Sequence, residues 1–404
     1  MSAWKRGRTT ARLPINPGKT SSSARNPSHP ERANTQMRIL YDHQVFSLQN
    51  AGGASRYFYE LAKFLNTVPD AQTVVWLGIT GTVYPFRALN HSRTRVSSLP
   101  EWLAPGMLRY LANELWSNMA APFQGRMDIY HPTTYMKVPL VRAARVVATH
   151  HDCTHERFPE FFPDAKKIFW ARKRLFPEVD AIICVSESCR QDLLQFYNVD
   201  PAKTFVIHHG VTQLPRSAEA GAELRKHLRR DYLLYVGMRA EFKNFDGLLQ
   251  AFRETKLYES MDLLVLGGKQ LNADEQARIT TMGLKGCVIS LPRVSDGLLA
   301  EAYAGARLFV YPSFNEGFGF PPLEAMSLNC PVLASRIPAV TEVCRDVPFY
   351  FDPQDQASFE RELSRAVSDE AARQRSIERG RELAGQYSWE DCGQKTLALY
   401  RQCQ

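Results

Sequence analysis

Residues 308–342 read LFVYPSFNEGFGFPPLEAMSLNCPVLASRIPAVTE, and this stretch decides the fold. The apolar run Leu308–Tyr311 predicts a fully buried parallel strand, and Pro331–Ala334 predicts a second one. Between them, Gly317 and Gly319 let a loop backbone come close to a ligand. Pro321 and Pro322 suit the first turn of a helix carrying Leu323, Glu324, Ala325 and Met326. The N-terminus of such a helix, with free N–H groups and the positive end of the dipole, is a seat for phosphate or ribose oxygens.

Two carboxylates, Glu316 in the loop and Glu324 in the first helical turn, stand with seven residues between them. Alone, such a pair reads as a solvated loop charge and a residue that complements its helix dipole. The setting changes this. Strand, glycine-aromatic loop, proline-started helix and second strand put both at the carboxyl end of a parallel sheet, where open α/β folds bind ligands. The string Glu316-Gly-Phe-Gly-Phe-Pro-Pro-Leu-Glu324-Ala-Met resembles the signature of retaining, GT-B-fold glycosyltransferases of family four (glycosyl transferases group 1), which move a sugar from a nucleotide-diphosphate donor. The resemblance implies that Glu316 holds hydroxyls of the donor sugar and Glu324 the ribose, with Gly317, Phe318, Gly319 and Leu323 lining the donor.

Composition is consistent with this. A chain of 404 residues, 44% hydrophobic, can bury two sizeable cores. No apolar run approaches the roughly 20 residues that span a bilayer, and the first residues lack the apolar segment of a secretory signal. Eight scattered cysteines without a C-x-x-C pair fit reduced thiols in a cytosol. The net charge of +8 invites a nucleic-acid partner, but seven Lys/Arg against one Glu put +6 of it before Met37. A near-neutral body with a basic tail lacks the patterned basic face that nucleic acid requires. Residues 1–36, rich in Ser, Pro, Arg and Asn, read as a disordered tail, and Met37 directly before the first strand is a candidate initiator.

From Met37 the segments MRILYDHQVF, SLQNAGGASR and YFYELAKFLN predict strand, loop and helix. A double glycine by itself is a turn. Gly52 and Gly53 sit where a first βα loop meets a diphosphate, with Ser55 and Arg56 opening the helix, and the resemblance carries both glycines over to the donor phosphates. Strands near Thr73–Leu77, Met127–His131, Arg145–His150 and Ala181–Val185 alternate with helices, the pattern of a doubly wound parallel sheet. Thr149-His150-His151-Asp152 follows one of them directly, and its match to the family's His-Asp element implies that His151 touches the donor sugar or orients the acceptor. Phe161–Phe176 mixes cations with aromatics on a predicted helix. We read it first as an amphipathic helix packing Ile168, Phe169, Leu175 and Phe176 inward, and second as a segment for an anionic membrane surface. Glu101–Phe123, with Trp102, Leu103, Met107, Leu108, Trp116 and Met119, has the same ambiguity near the acceptor entrance.

A boundary is expected after Phe205–Val211, before the polar segment Thr212–Arg230. The strand Tyr232–Val236 then opens a second βα series whose first loop carries Arg239, Lys243 and Asn244. Cations in such a loop suit a diphosphate leaving group, on which negative charge grows. Family members commonly place an arginine directly after the glycine or directly before the lysine. Here Met238 and Phe242 hold those places, so either Arg239 swings to the phosphates or Lys243 works with backbone donors. Strands at Asp262–Leu266, ending in Gly267-Gly268, and at Val288–Leu291 follow. The resemblance puts Gly267 near the nucleotide and Arg293 and Val294 near its base. It extends to a terminal helix, Ser388–Arg401, and covers about Met37 to Arg401.

The expectation is therefore an α/β chain of GT-B fold, two Rossmann-like doubly wound sheets facing a central cleft. Residues 1–36 form the tail, 37–211 the acceptor-side domain, 212–387 the nucleotide-sugar domain, and 388–404 a helix crossing back. The implied reaction is retaining transfer of a hexosyl group, mannosyl by analogy, to a saccharide or lipid-linked acceptor in cell-surface polysaccharide or glycolipid synthesis. His151, Lys243 and Glu316 are its catalytic candidates. The donor is a co-substrate; no cofactor or metal is expected, and no Asp-x-Asp triplet occurs. The setting is cytoplasmic, with peripheral contact to the inner membrane surface. A GT-B epimerase and a catalytically idle GT-B subunit stay open. A nicotinamide-dependent dehydrogenase is disfavoured, because Asn50–Arg56 lacks G-x-G-x-x-G spacing.

Overall fold

Two parallel sheets organise the chain. This computed structural model describes residues 36–89, 94–99, 106–123, 125–135, 141–292 and 294–404, with backbone alone at 94–99, 106 and 107. Residues 1–35 of the tail, Trp102, Leu103 and Arg293 thus lie outside the described residues.

The first sheet has the order β3-β2-β1-β4-β5-β6-β7. Its strands are β1 Met37–Tyr41, β2 Ala71–Ile79, β3 Thr94–Leu99, β4 Met127–His131, β5 Ala143–His150, β6 Ala181–Cys184 and β7 Thr204–Val206. The second has the order β10-β9-β8-β11-β12-β13. It is built from β8 Tyr232–Val236, β9 Asp262–Leu266, β10 Val288–Leu291, β11 Leu308–Tyr311, β12 Val332–Ser335 and β13 Phe349–Phe351. Every pair runs parallel. Each order reverses once, at β1/β4 and at β8/β11, and such a switch point opens a crevice outside the carboxyl ends of the strands.

Helices cover both faces, which is why the central strands read as continuous apolar runs. In β1, Ile39 and Tyr41 point to a core shared with Val75, Ile129, Val147 and Ile183, while Leu40 points to the opposite face with Val74, Trp76 and Tyr130. The last helix, Trp389–Cys403, lies on the first of these cores through Cys392, Leu397 and Tyr400. The Tyr400 hydroxyl is 2.6 Å from His131 Nδ1 and 3.2 Å from the Tyr41 hydroxyl.

Strands Met127–His131, Tyr232–Val236, Asp262–Leu266, Val288–Leu291 and Leu308–Tyr311 have the limits expected from sequence. The first expected strand is shorter. Asp42 is wholly buried and accepts from Gln44 N at 3.2 Å, Thr133 Oγ1 at 2.6 Å and the Tyr130 hydroxyl at 2.6 Å, turning the chain out of β1 into the short helix Gln44–Leu48.

Candidate active site

The second sheet supplies charge to the crevice. After β8 the chain turns through Glu241–Lys243 and passes Asn244 in the left-handed region, φ 52°, which asparagine tolerates. This aims Lys243 at the loop after β11, where its Nζ lies 2.6 Å from Glu316 Oε1. Both side chains are mostly buried, at 19% and 13% exposure, so the pair is only partly screened by solvent. The two loops are also tied through backbone, Phe314 N–H to the Phe242 carbonyl at 2.8 Å.

Helix Phe320–Ser327 starts at Gly319, whose φ of 120° excludes other residues without strain. Pro321 and Pro322 have no N–H, so Gly319 and Phe320 carry the donors that precede Leu323 at this helix end. Glu324 sits on the helix with its carboxylate 2.8 Å from Arg56 Nη1; Arg56 Nη2 reaches Asp296 Oδ1 at 3.3 Å. Burial pushes the Glu324 carboxyl above the ordinary carboxylate range, and the Arg56 guanidinium opposes that rise.

Apart from Arg56 on helix Gly53–Leu65, the first half supplies uncharged groups. Gly52 caps helix Gly53–Leu65, and a Cβ added at Gly53 would meet the Phe320 ring at 3.1 Å, so the glycine pair abuts the Glu324 helix directly. A Cβ on Gly317 would lie 1.6 Å from the His151 carbonyl oxygen, so only glycine allows this approach. Ser186 Oγ donates to the Gly317 carbonyl at 2.7 Å, and Asn315 Nδ2 donates to Thr154 Oγ1 at 3.1 Å, so the Glu316 loop is held by the first half.

His151 stacks on His209 with ring centres 5.7 Å apart, and Tyr57 meets both edges. Burial lowers the His151 pKa to about 4 and the His131 pKa to about 3, and pulls His209 well below the usual imidazole range, so all three are neutral at pH 7. His151 Nε2 is buried without a hydrogen-bond partner. Burial opposes the charge on Asp152, but Arg172 and the Thr154 N–H overcome it and hold the carboxyl at about 2. Asp152 thus serves the loop: it accepts from Thr154 N at 2.9 Å.

The structure therefore brings Gly52, Gly53, His151, Lys243, Glu316, Gly317, Gly319 and Glu324 to one crevice. Gly267 lies at the end of β9, its N–H bonded to the Leu291 carbonyl at 3.2 Å, and Val294 follows β10 beside it. Phe318 and Leu323 are buried in the core of the second half, so only their backbone is available to a ligand. Arg239 is engaged elsewhere: its guanidinium pairs with Glu275 at 2.8 Å and donates to the Lys269 carbonyl at 2.8 Å, fixing the loop after Gly268.

Arg56 was read from sequence only as opening its helix, and Ser186 and His209 were not singled out. Arg56 did carry a signal, because a cation in the first turn of a helix is unfavourable beside the positive dipole end and calls for an acidic partner from elsewhere. Ser186 and His209 had none: Ser186 bonds to Gly317 in the other half, and His209 packs on Tyr57 and His151, which are distant in sequence, and on Phe318 and Phe320 of the other half.

Two doubly wound sheets facing each other across their strand ends define the GT-B class of fold. Sucrose-phosphate synthase from Thermosynechococcus elongatus has it, with a TM-score of 0.71 at 20% identity over 91% of this chain and 99% of that one. So does Anabaena Alr3699/HepE, solved in complex with UDP-glucose, with a TM-score of 0.70 at 17% identity over 91% and 100%. Residues 51–212 match Glycosyltransferase Family 4 and residues 218–383 match Glycosyl transferases group 1. Over 285 residues the chain is 33% identical to O-antigen chain mannosyltransferase B of Escherichia coli, which is 68% of this chain and 74% of that protein. The chain belongs to the group 1, family four glycosyltransferases.

Proposed function

We propose that the chain is a retaining hexosyltransferase (EC 2.4.1.-) that moves a mannosyl group from a nucleotide-diphosphate sugar to a hydroxyl of a saccharide or lipid-linked acceptor. Its place is cell-surface polysaccharide or glycolipid assembly on the cytoplasmic side. The observation that carries this is the pair Glu316 and Glu324, each held by a cation at the carboxyl end of the second sheet. The mannosyl assignment is supported by the O-antigen relative. The nucleotide-sugar donor is supported by the UDP-glucose bound to Alr3699/HepE.

In this reading residues 212–387 take the donor and 37–211 the acceptor. Glu324 exchanges Arg56 for the ribose hydroxyls, and Glu316 takes hydroxyls of the sugar. Lys243 then faces the diphosphate together with the amides of Gly52, Gly53, Gly317 and Gly319. Gly267 and Val294 border the nucleotide, and Arg239 acts by fixing the Gly267-Gly268 loop. His151, neutral, offers Nε2 to a sugar hydroxyl.

The bond from the anomeric carbon to phosphate breaks, and the acceptor oxygen bonds to the same face. The acceptor proton passes to the departing phosphate oxygen. Lys243, the helix end at Gly319 and the glycine amides stabilise the charge that develops, so the step requires no metal.

A thermal-shift series with UDP-, GDP-, ADP- and dTDP-sugars, with and without magnesium, tests the reading. A donor at about 100 times its Kd adds roughly 2.7 kcal/mol to stability. A shift with one nucleotide, lost in Glu324→Ala, names the base; no shift from any of them in folded protein sinks it. Product analysis then tests the anomeric outcome, and the absence of product without acceptor excludes an epimerase.

A further inference from the structure

The two cations paired with Glu316 and Glu324 come from opposite halves of the chain. Lys243 holds Glu316 from within the second half, whereas Arg56, on helix Gly53–Leu65, reaches Glu324 from the first. Arg56 occupies an unfavourable position. It stands in the opening turn of its helix, where the positive end of the dipole repels a cation, and its N–H bonds back to the Gly52 carbonyl at 2.9 Å. The Tyr84 ring lies 5.9 Å from its guanidinium carbon, and the Tyr84 hydroxyl donates to the same carbonyl at 3.2 Å. The guanidinium is therefore fixed beside the glycine pair, with the side chain only 14% exposed.

A fork spread over two carboxylates offsets this placement. Nη1 lies 2.8 Å from Glu324 Oε1, and Nη2 lies 3.3 Å from Asp296 Oδ1. The two partners are unequal. Glu324 is 9% exposed and Asp296 54%, so water screens the longer contact and the buried compensation comes from Glu324. When Glu324 turns to the ribose hydroxyls of a donor, Arg56 loses that compensation and stays at a helix end that repels it. A buried cation without a partner is strongly destabilised, so the exchange requires the donor to bring an anion to Arg56 as well. That anion is the diphosphate, which the same helix receives on the Gly52 and Gly53 amides. A guanidinium fork matches phosphate oxygens two at a time, as it now matches two carboxylate oxygens.

The charge balance of the second half leads to the same place. The diphosphate of a nucleotide sugar is doubly negative, and Lys243 supplies a single positive charge. Arg239 adds none there, because Glu275 and the Lys269 carbonyl engage it.

We propose that Arg56 passes from Glu324 to the donor diphosphate, so that the leaving group is clamped by one cation from each half, Arg56 and Lys243. The assignment rests on the donor reading above and adds to it a catalytic residue from the first half. Charge growing on the departing phosphate is then met from both sides of the crevice. The competing role for Arg56 is to position Glu324 and nothing more. The two roles differ in what Arg56 does once Glu324 is gone.

Calorimetry with UDP, GDP, ADP and dTDP first finds the diphosphate that the wild type binds. That nucleotide is then titrated into Glu324→Gln, Arg56→Gln and Arg56→Gln/Glu324→Gln. Adding Arg56→Gln to Glu324→Gln should weaken binding by a further tenfold to hundredfold, roughly, the share of a hydrogen-bonded charge. Arg56→Lys in the same background keeps the charge without the fork and should recover part of that loss. Arg56→Gln alone leaves Glu324 buried and unpaired; should it fail to fold, Glu324→Gln and the double variant still decide, because neither carries that carboxylate.

An affinity that Arg56→Gln leaves unchanged in the Glu324→Gln background would overturn the proposal and reduce Arg56 to a positioning residue, with the donor reading intact. A folded wild type that binds none of the four diphosphates would instead overturn the donor reading, and this assignment with it.

Discussion

The two walls of the crevice are made of opposite chemistry. On the second-sheet side, Lys243 faces Glu316, and Glu324 reaches across to Arg56 on helix Gly53–Leu65 of the first half; all four side chains are mostly buried and all paired. On the first-sheet side, His151, His209, Tyr57 and His131 form a neutral ring-to-ring cluster joined by edge and stacked contacts. A charged pair can exchange partners when a ligand brings its own charge and hydroxyls, and a neutral packed cluster cannot. The charged wall is therefore suited to gripping a ligand, and the neutral wall to fixing where that grip occurs.

Breaking the charged wall should have the largest effect. Lys243→Ala removes the cation nearest Glu316, and kcat should fall by about 10²–10³, the cost of losing one donor to a developing negative charge. Lys243→Arg, with the charge kept but the shape changed, separates a need for charge from a need for fit. If steady-state rates of both variants match wild type, the grip lies elsewhere.

Where the walls touch, Gly317→Ala comes next. A methyl 1.6 Å from the His151 carbonyl oxygen cannot be absorbed by a side-chain rotation, because both neighbours are backbone. The Glu316 loop must retreat. A displacement near 1 Å costs about 10² in rate, whereas Gly385→Ala, in the linker after helix Glu370–Ala384, should cost little. Comparing the two variants in kcat/KM checks that contact between the walls, and not glycine as such, matters.

The difference between the walls also explains what was legible in sequence. Strands buried on both faces are written as apolar runs, so β8, β9 and β11 were found at their true limits; β10, an edge strand, was found because its side chains are largely apolar. Three edge strands were not, β7 at Thr204–Val206 being one of them. Thr94–Leu99 is largely polar, and Thr204–Val206 and Phe349–Phe351 are three residues long, so none of them carries a period. The positions of Glu316, Glu324 and Lys243 at strand ends were readable because local loop chemistry puts them there. The partner of Glu324 was not: Arg56 is 268 residues away, and only the packing of helix Gly53–Leu65 against Phe320–Ser327 joins them. For the same reason the engagement of Arg239 by Glu275 was invisible, and a loop arginine beside glycines read as free for a phosphate.

Arg56→Ala sharpens the comparison through stability. Removing one partner of a buried pair costs about 3 kcal/mol when the other stays charged. The Glu324 pKa is raised in the folded state, so folding favours the protonated form, and stability is lost as pH rises above its unfolded value through the folded one. The variant should therefore be most destabilised near pH 8 and recover toward pH 5. Melting temperatures across that range measure it. A cost that is flat with pH would mean that Arg56 contributes packing and not charge.

The neutral wall should have a smaller effect of the opposite sign. His131, His151 and His209 have pKa values depressed by burial below the unfolded value, two of them to about 3 and about 4. Below about pH 6.5 the unfolded chain takes up protons that the folded chain refuses, so stability is full above that pH and is lost as pH falls toward 4. Each histidine contributes roughly 1.4 kcal/mol per pH unit in that window. Asp152 does not enter, since its depressed carboxyl acts below its unfolded value; Glu324 opposes the trend with a single proton, whereas burial also lowers His150 and His43, which add to it. His151→Gln should remove one proton's share of the slope between about pH 6.5 and 5 and leave stability near pH 8 within about 1 kcal/mol of wild type. A slope unchanged by His151→Gln would show that this ring already takes a proton in the folded chain, and the neutral wall would then be charged like its opposite.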